Sequence, residues 1–148
     1  MRIRPAGSLH LLVGAGAYAL GFPDLMVGLD PKNKDKGWDV RIADAWSLFG
    51  EYYFDEAGRK WFAGLQAGIQ NFRIRNEGLP GAESRYRNLI LMPSVGYSWS
   101  PFRIPVYIKP WVGIGYTAKV SGNNRIEGAE YNISPILPFA TLHMGYVF

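Results

Sequence analysis

The chain has 148 residues and no cysteine, which excludes disulfide frameworks, thiolate zinc sites and cysteine nucleophiles. Hydrophobic residues make up 48%, charged residues 19% and the mean hydropathy is −0.06, too apolar for disorder and too polar for a helical membrane bundle. The 18 glycines are roughly 12% of the chain against a usual ~7%, and with 15% aromatics they make a β-barrel composition rather than a helical one.

The net charge of +4 raises the question of a nucleic-acid partner. Lys32, Lys34, Lys36 and Arg41 stand against Asp30, Asp35 and Asp39, and Arg73, Arg75, Arg85 and Arg87 against Glu77 and Glu83. These charges are expected in separate loops and mixed with acids. A nucleic-acid footprint is a concentrated stripe, so no nucleic acid is expected as a partner.

In chain order, residues 5–23 come first. They carry no Asp, Glu, Lys or Arg and follow Arg2 and Arg4, as a secretory signal with a cleavage site at Ala15-Gly16-Ala17 would. The odd positions from Leu9 to Ala19 are all apolar, however, and this alternation favours a strand over 9–21. Further alternating runs predict strands at about 38–54, 61–75, 86–99, 105–120 and 132–148. The connections at 55–60 and 100–104 are tight. Those near 22–37, 76–85 and 121–131 are longer and polar. Short turns at one end and long loops at the other describe an up-and-down meander forming a single domain, 1–148.

Side chains alternate between the two faces of a strand. In the second strand Trp46, Leu48, Gly50, Tyr52 and Phe54 oppose Ala45, Ser47, Phe49, Glu51 and Tyr53. In the third, Trp61, Ala63, Leu65, Ala67 and Ile69 oppose Phe62, Gly64, Gln66, Gly68 and Gln70. In the fourth, Leu89, Leu91, Pro93, Val95, Tyr97 and Trp99 oppose Ile90, Met92, Ser94, Gly96 and Ser98. In the fifth, Val106, Ile108, Pro110, Val112, Ile114 and Tyr116 oppose Tyr107, Lys109, Trp111, Gly113, Gly115 and Thr117. In the last, Pro138, Ala140, Leu142, Met144, Tyr146 and Phe148 oppose Phe139, Thr141, His143, Gly145 and Val147.

The polar face is poor in charge and rich in Gly, Ser, Gln and Thr, which suits a cramped interior. The apolar face is continuous, and turned outward it forms a band of about 25 Å, as a bilayer demands. Pro93, Pro110 and Pro138 argue against regular sheet interiors and are expected at bulges or kinks. At the short-turn ends, Tyr52, Phe54, Trp61, Tyr97, Trp99, Tyr146 and Phe148 stand at one height, as an interfacial aromatic belt does. Trp38 and Tyr116 are expected to form a thinner second belt.

With Ala140-Thr141-Leu142-His143-Met144-Gly145-Tyr146-Val147-Phe148 as its last strand, the chain resembles small bacterial outer-membrane β-barrel proteins of the OmpA, OmpX and OmpW type. The hairpins at 48–62 and 97–112 are similar to family hairpins with short periplasmic turns. The resemblance implies an antiparallel transmembrane barrel in the bacterial outer membrane, with outer-membrane lipid as its surroundings. It also implies that Tyr146 and Phe148 are the signal read by the outer-membrane assembly machinery. Six strands are recognisable where known single-chain barrels begin at eight. The missing pair is expected upstream of Met1 or as a short hairpin of 25–29 with part of 38–46; otherwise the sheet closes imperfectly.

Three functions follow as expectations. The first is a non-enzymatic structural or loop-mediated interaction role. So narrow an interior fills with side chains, among them Phe49, Phe62, Tyr107, Trp111 and Phe139. The second is a lipid-modifying enzyme, which needs a hydroxyl activated by histidine. His10 and His143, both inward by parity, lack the His-x-Ser pairing of the lipid A deacylases, so no catalytic residue is expected. The third is a soluble lipocalin-like barrel that binds an apolar ligand, with the opposite facing. No metal or cofactor motif is expected either; Gly14-Ala15-Gly16-Ala17 lacks a dinucleotide fingerprint and no helix follows it.

Glu51, Gln66, Lys109 and His143 all point inward by parity, at similar heights. A charge there is costly unless paired. Glu51 and Lys109 are therefore expected to form a hydrogen-bonded plug, with Gln66 and His143 as neutral partners.

Overall fold

The computed structural model describes residues 2–101 and 106–146. Its elements are β1 (Arg2–Ile3), β2 (Leu11–Gly21), the helical turn α1 (Asp24–Val27), β3 (Trp38–Tyr53), β4 (Lys60–Asn76), β5 (Glu83–Ser98), β6 (Val106–Gly122), β7 (Arg125–Ile126), β8 (Ala129–Glu130) and β9 (Ile136–Tyr146). The protein is all-β. The six long strands β2, β3, β4, β5, β6 and β9 lie side by side in chain order, every neighbour antiparallel, as an up-and-down sheet. β1 adds a short seventh strand on the β2 edge, and β7 with β8 makes a small separate hairpin in the last long loop. Among the described residues no helix is long and apolar enough to cross a membrane.

The alternation in the sequence becomes rows across the sheet. Outward positions of β3, β4 and β5 align as Tyr52–Ala63–Val95, Gly50–Leu65–Pro93, Leu48–Ala67–Leu91 and Trp46–Ile69–Leu89. These side chains are exposed: Trp46 is 68% and Leu48 69% accessible, and Ile114 on β6 60%. The opposite face is buried or half-buried along β3, β4 and β5, and on β9 it is exposed at Thr141 and His143. Glycine makes that face possible, because rings from neighbouring strands lie flat over it. A Cβ on Gly96 would stand 2.6 Å from the Phe62 ring, and one on Gly145 would stand 2.5 Å from the Tyr107 hydroxyl.

The sheet curls around this buried face, so that strands which are not neighbours touch across it. Gln70 on β4 donates to the hydroxyl of Tyr18 on β2 at 2.8 Å. Toward the long loops a single apolar cluster gathers Phe22, Val27, Trp38, Val40, Ile42, Phe72, Ile74, Tyr86, Tyr131 and Leu137, drawn from both ends of the sheet. Phe72 and Tyr86 stack at 4.8 Å, and Trp38 meets Tyr131 edge-on at 5.7 Å. The loops over this cluster are stitched together. Asn33 donates to the Asn132 carbonyl at 2.7 Å and accepts from the Asn132 amide at 2.8 Å, and the Asn132 side chain bonds Asp30.

Three expectations about the fold are corrected. Trp38 is not in an outer belt but 6% exposed in the apolar cluster, because a bulge between Ile42 and Asp44 reverses the parity of β3. Tyr116 does face outward, at 59% exposure. The segment 25–29 forms no hairpin strand: Asp24–Val27 is a helical turn, and 38–46 belongs to the one long strand β3. The three prolines sit within strands, paired as Pro93 with Leu65, Pro110 with Leu142 and Pro138 with Ile114. The β5–β6 ladder is interrupted at Met92–Pro93, where proline offers no N–H.

Candidate functional site

The buried polar centre is built from three strands. β3 carries Glu51 and Tyr53 inward, β4 carries Phe62, and β6 carries Lys109. The Lys109 ammonium lies 2.5 Å from Glu51 Oε1, and the Tyr53 hydroxyl donates to Glu51 Oε2 at 2.9 Å. Lys109 is 1% exposed and Glu51 8%. The ammonium also sits 4.2 Å from the centre of the Phe62 ring, within cation–π range. Each charge is thus met on more than one side, as a buried pair requires.

Of the four residues expected to form a plug, the structure brings these two together. Gln66 is half-buried on β4 and makes no hydrogen bond to the pair. His143 stands across from Lys109 in the β6–β9 register, but it is exposed, with its ring edge-on to Trp111 at 5.8 Å. A neutral partner that the sequence reading did not name is Tyr53, an inward residue next to Glu51 by parity, whose hydroxyl donates to the carboxylate. Its alternation with Glu51 was the available signal.

His10 is corrected too. It precedes β2 and lies 3.0 Å from the Tyr53 carbonyl, with its ring stacked on outward Tyr52 rather than turned inside. Among the described residues, no group of three His, Asp or Glu is placed to hold a metal.

At the short-turn end Tyr52, Phe54, Trp61 and Trp99 are exposed, and Tyr97 is half-buried against Trp61 at 5.3 Å. Tyr146 ends β9 with its backbone paired to Val106, and Phe148 lies outside the described residues. An apolar cleft of about 790 Å³ runs between Leu25, Met26 and Leu29 and the middle of β5, β6 and β9 at Pro93, Val112 and Ala140.

The arginines expected in scattered loops are instead gathered on one outward face. Continuing upward from Trp46–Ile69–Leu89, the rows read Asp44–Asn71–Arg87, Arg41–Arg73–Arg85 and Asp39–Arg75–Glu83. The β3 bulge that buries Trp38 also turns Asp39 and Arg41 outward. The signal in the sequence was the change of charge parity, from odd at Asp39 and Arg41 to even at Asp44.

Comparisons with protein-family models, with characterised proteins and with solved structures return no match. The class is therefore defined by geometry. This is an antiparallel up-and-down sheet with its apolar face outside and a paired charge within.

Proposed function

We propose that the chain is a non-enzymatic outer-membrane β-barrel protein, with a structural role or one mediated by its long loops, and with an interior plugged by side chains. One observation carries this reading: the continuous apolar face points outward while an ion pair is buried. In a soluble protein that arrangement leaves a large apolar surface in water. Outward residues from Trp61 to Ile69 rise roughly 20 Å at ~3.3 Å per residue and a tilt near 40°, close to the ~25 Å band of a membrane barrel. The aromatic residues at the short-turn end match an interfacial belt.

Closure is part of the proposal. β1 already pairs with Val13–Gly14, and the far edge of β9 is the other side of the seam. The chain has no cysteine, so paired cysteines placed on β9 and on β1 or β2 report closure cleanly by cross-linking. The side chains inside, with the aromatic cluster above the Glu51–Lys109 pair, favour a closed interior without steady ion conductance.

Refolding into phosphatidylcholine vesicles tests the whole reading. We expect insertion, protease protection of the strands and strand-type circular dichroism. A protein that stays monodisperse without detergent overturns it. The apolar cleft beside Leu25 and Leu29 would then favour a soluble protein that binds an apolar ligand.

A further inference from the structure

Three arginines on three adjacent strands, Arg41, Arg73 and Arg85, are directly opposite one another in register. Like charges in such positions repel. The carboxylates around them are fewer. Glu83 alone is approached by three guanidiniums, from Arg75 at 2.8 Å, Arg85 at 2.9 Å and Arg73 at 3.8 Å. Asp39 accepts from Arg41 at 3.2 Å, and Asp44 accepts from the Asn71 side-chain Nδ2 at 2.6 Å. Arg87 donates to the Asn71 side-chain oxygen Oδ1 at 2.8 Å. Five guanidiniums (Arg41, Arg73, Arg75, Arg85 and Arg87) thus face three carboxylates (Asp39, Asp44 and Glu83), an excess of two positive charges (5 − 3 = 2) on a patch three strands wide.

What lies beneath the patch decides the kind of anion. The next full apolar row is Trp46–Ile69–Leu89, exposed at 68%, 41% and 48%. A soluble anionic partner would satisfy the arginines and leave that row bare. A lipid satisfies both, with its phosphate on the guanidiniums and its acyl chains along the aliphatic rows. Guanidinium forks match phosphate oxygens in pairs.

We propose that Arg41, Arg73 and Arg85 form a binding site for a phosphate-bearing lipid headgroup in the leaflet on the long-loop side. This rests on the membrane reading above and adds a specific lipid contact to it. Glu83 acts as an internal counter-ion that holds the guanidiniums in place while leaving the patch positive.

The test uses Trp46, two rows below Arg41, as reporter. Protein in phosphatidylcholine vesicles is quenched by brominated phosphatidic acid or by brominated phosphatidylcholine, with Trp46→Phe subtracted to isolate that residue. We expect phosphatidic acid to associate about fivefold more strongly, the discrimination that roughly one surface arginine supplies. The triple variant Arg41→Gln, Arg73→Gln, Arg85→Gln should lose the preference, and Glu83→Gln should raise it. Equal quenching by the two lipids, or a preference that survives the triple variant, overturns the site. Loss of the preference at inorganic phosphate no more concentrated than the phosphatidic acid, at constant ionic strength, identifies a free-phosphate site and overturns the lipid assignment. Failure to insert into pure phosphatidylcholine is a different result, which removes the membrane reading itself and this inference with it.

Discussion

The Lys109 ammonium and the Glu51 carboxylate meet at 2.5 Å although β6 and β3 are separated by two intervening strands. Removing one partner leaves a buried charge unmatched, at a cost of about 3–5 kcal/mol. Glu51→Gln and Lys109→Met should each destabilise by that order. The double variant should cost clearly less than their sum. Urea unfolding of the four proteins in one detergent measures the coupling, and strictly additive effects would show that the pair is not a unit.

Outward and inward positions should respond differently to substitution. In phosphatidylcholine bilayers Leu91→Arg and Ile114→Arg are expected to cost about 2–4 kcal/mol each. Gln66→Ala, half-buried and apart from the ion pair, should cost far less. Equal penalties in folding titrations would contradict the facing of the strands.

The ring of Phe62 occupies the space a side chain on Gly96 needs. A Cβ there also stands 2.6 Å from the Pro110 backbone carbonyl oxygen, so Gly96→Val should push against both the Phe62 ring and the β6 backbone and cost about 1–3 kcal/mol through overpacking. Pairing it with Phe62→Ala should recover part of that loss. Thermal melts of the single and double variants read this directly.

In the β7–β8 hairpin, Glu127 and Gly128 are the two loop residues and both have positive φ, 46° and 91°. That is the backbone of a type I′ turn, which favours asparagine followed by glycine. Glu127→Asn should stabilise the hairpin by about 0.5–1 kcal/mol. Slower amide exchange at Arg125 and Glu130 would register it; unchanged or faster exchange would count against the turn assignment.

At the first short turn Lys60 reaches Asp55 at 2.6 Å, and its hydrogen bond and charge hold the Asp55 carboxyl below its ordinary value. A depressed carboxyl pKa stabilises the fold above the unfolded value of 3.8, and that contribution is lost as pH falls through the folded value. The pair is exposed, so the effect on stability is small. Carboxyl NMR should show the Asp55 midpoint below 3.8 and returning toward it in Lys60→Gln. A midpoint unmoved by that substitution would rule out the pairing.

The extent of what was legible differs between strands. In β4 one unbroken parity runs from Trp61 to Arg75, so every facing could be read from spacing alone. In β3 the parity changes at the Ile42–Asp44 bulge. Reading Trp46's parity back to Trp38 therefore put that ring outside when it is buried.

From the sequence alone come six long alternating runs, short turns between long loops, and a polar face too poor in charge for solvent. Their physical basis is local, because period two fixes which side chains share a face. The pairing of Glu51 with Lys109 was also legible, from parity and height, but the Phe62 ring over Lys109, the position of the bulge and the row Arg41–Arg73–Arg85 were decided only by the tertiary structure. Each depends on strand register and on curvature, which bring together residues dozens of positions apart. Alternation assigns a residue to a face, but it does not say which residue on a distant strand will stand opposite it.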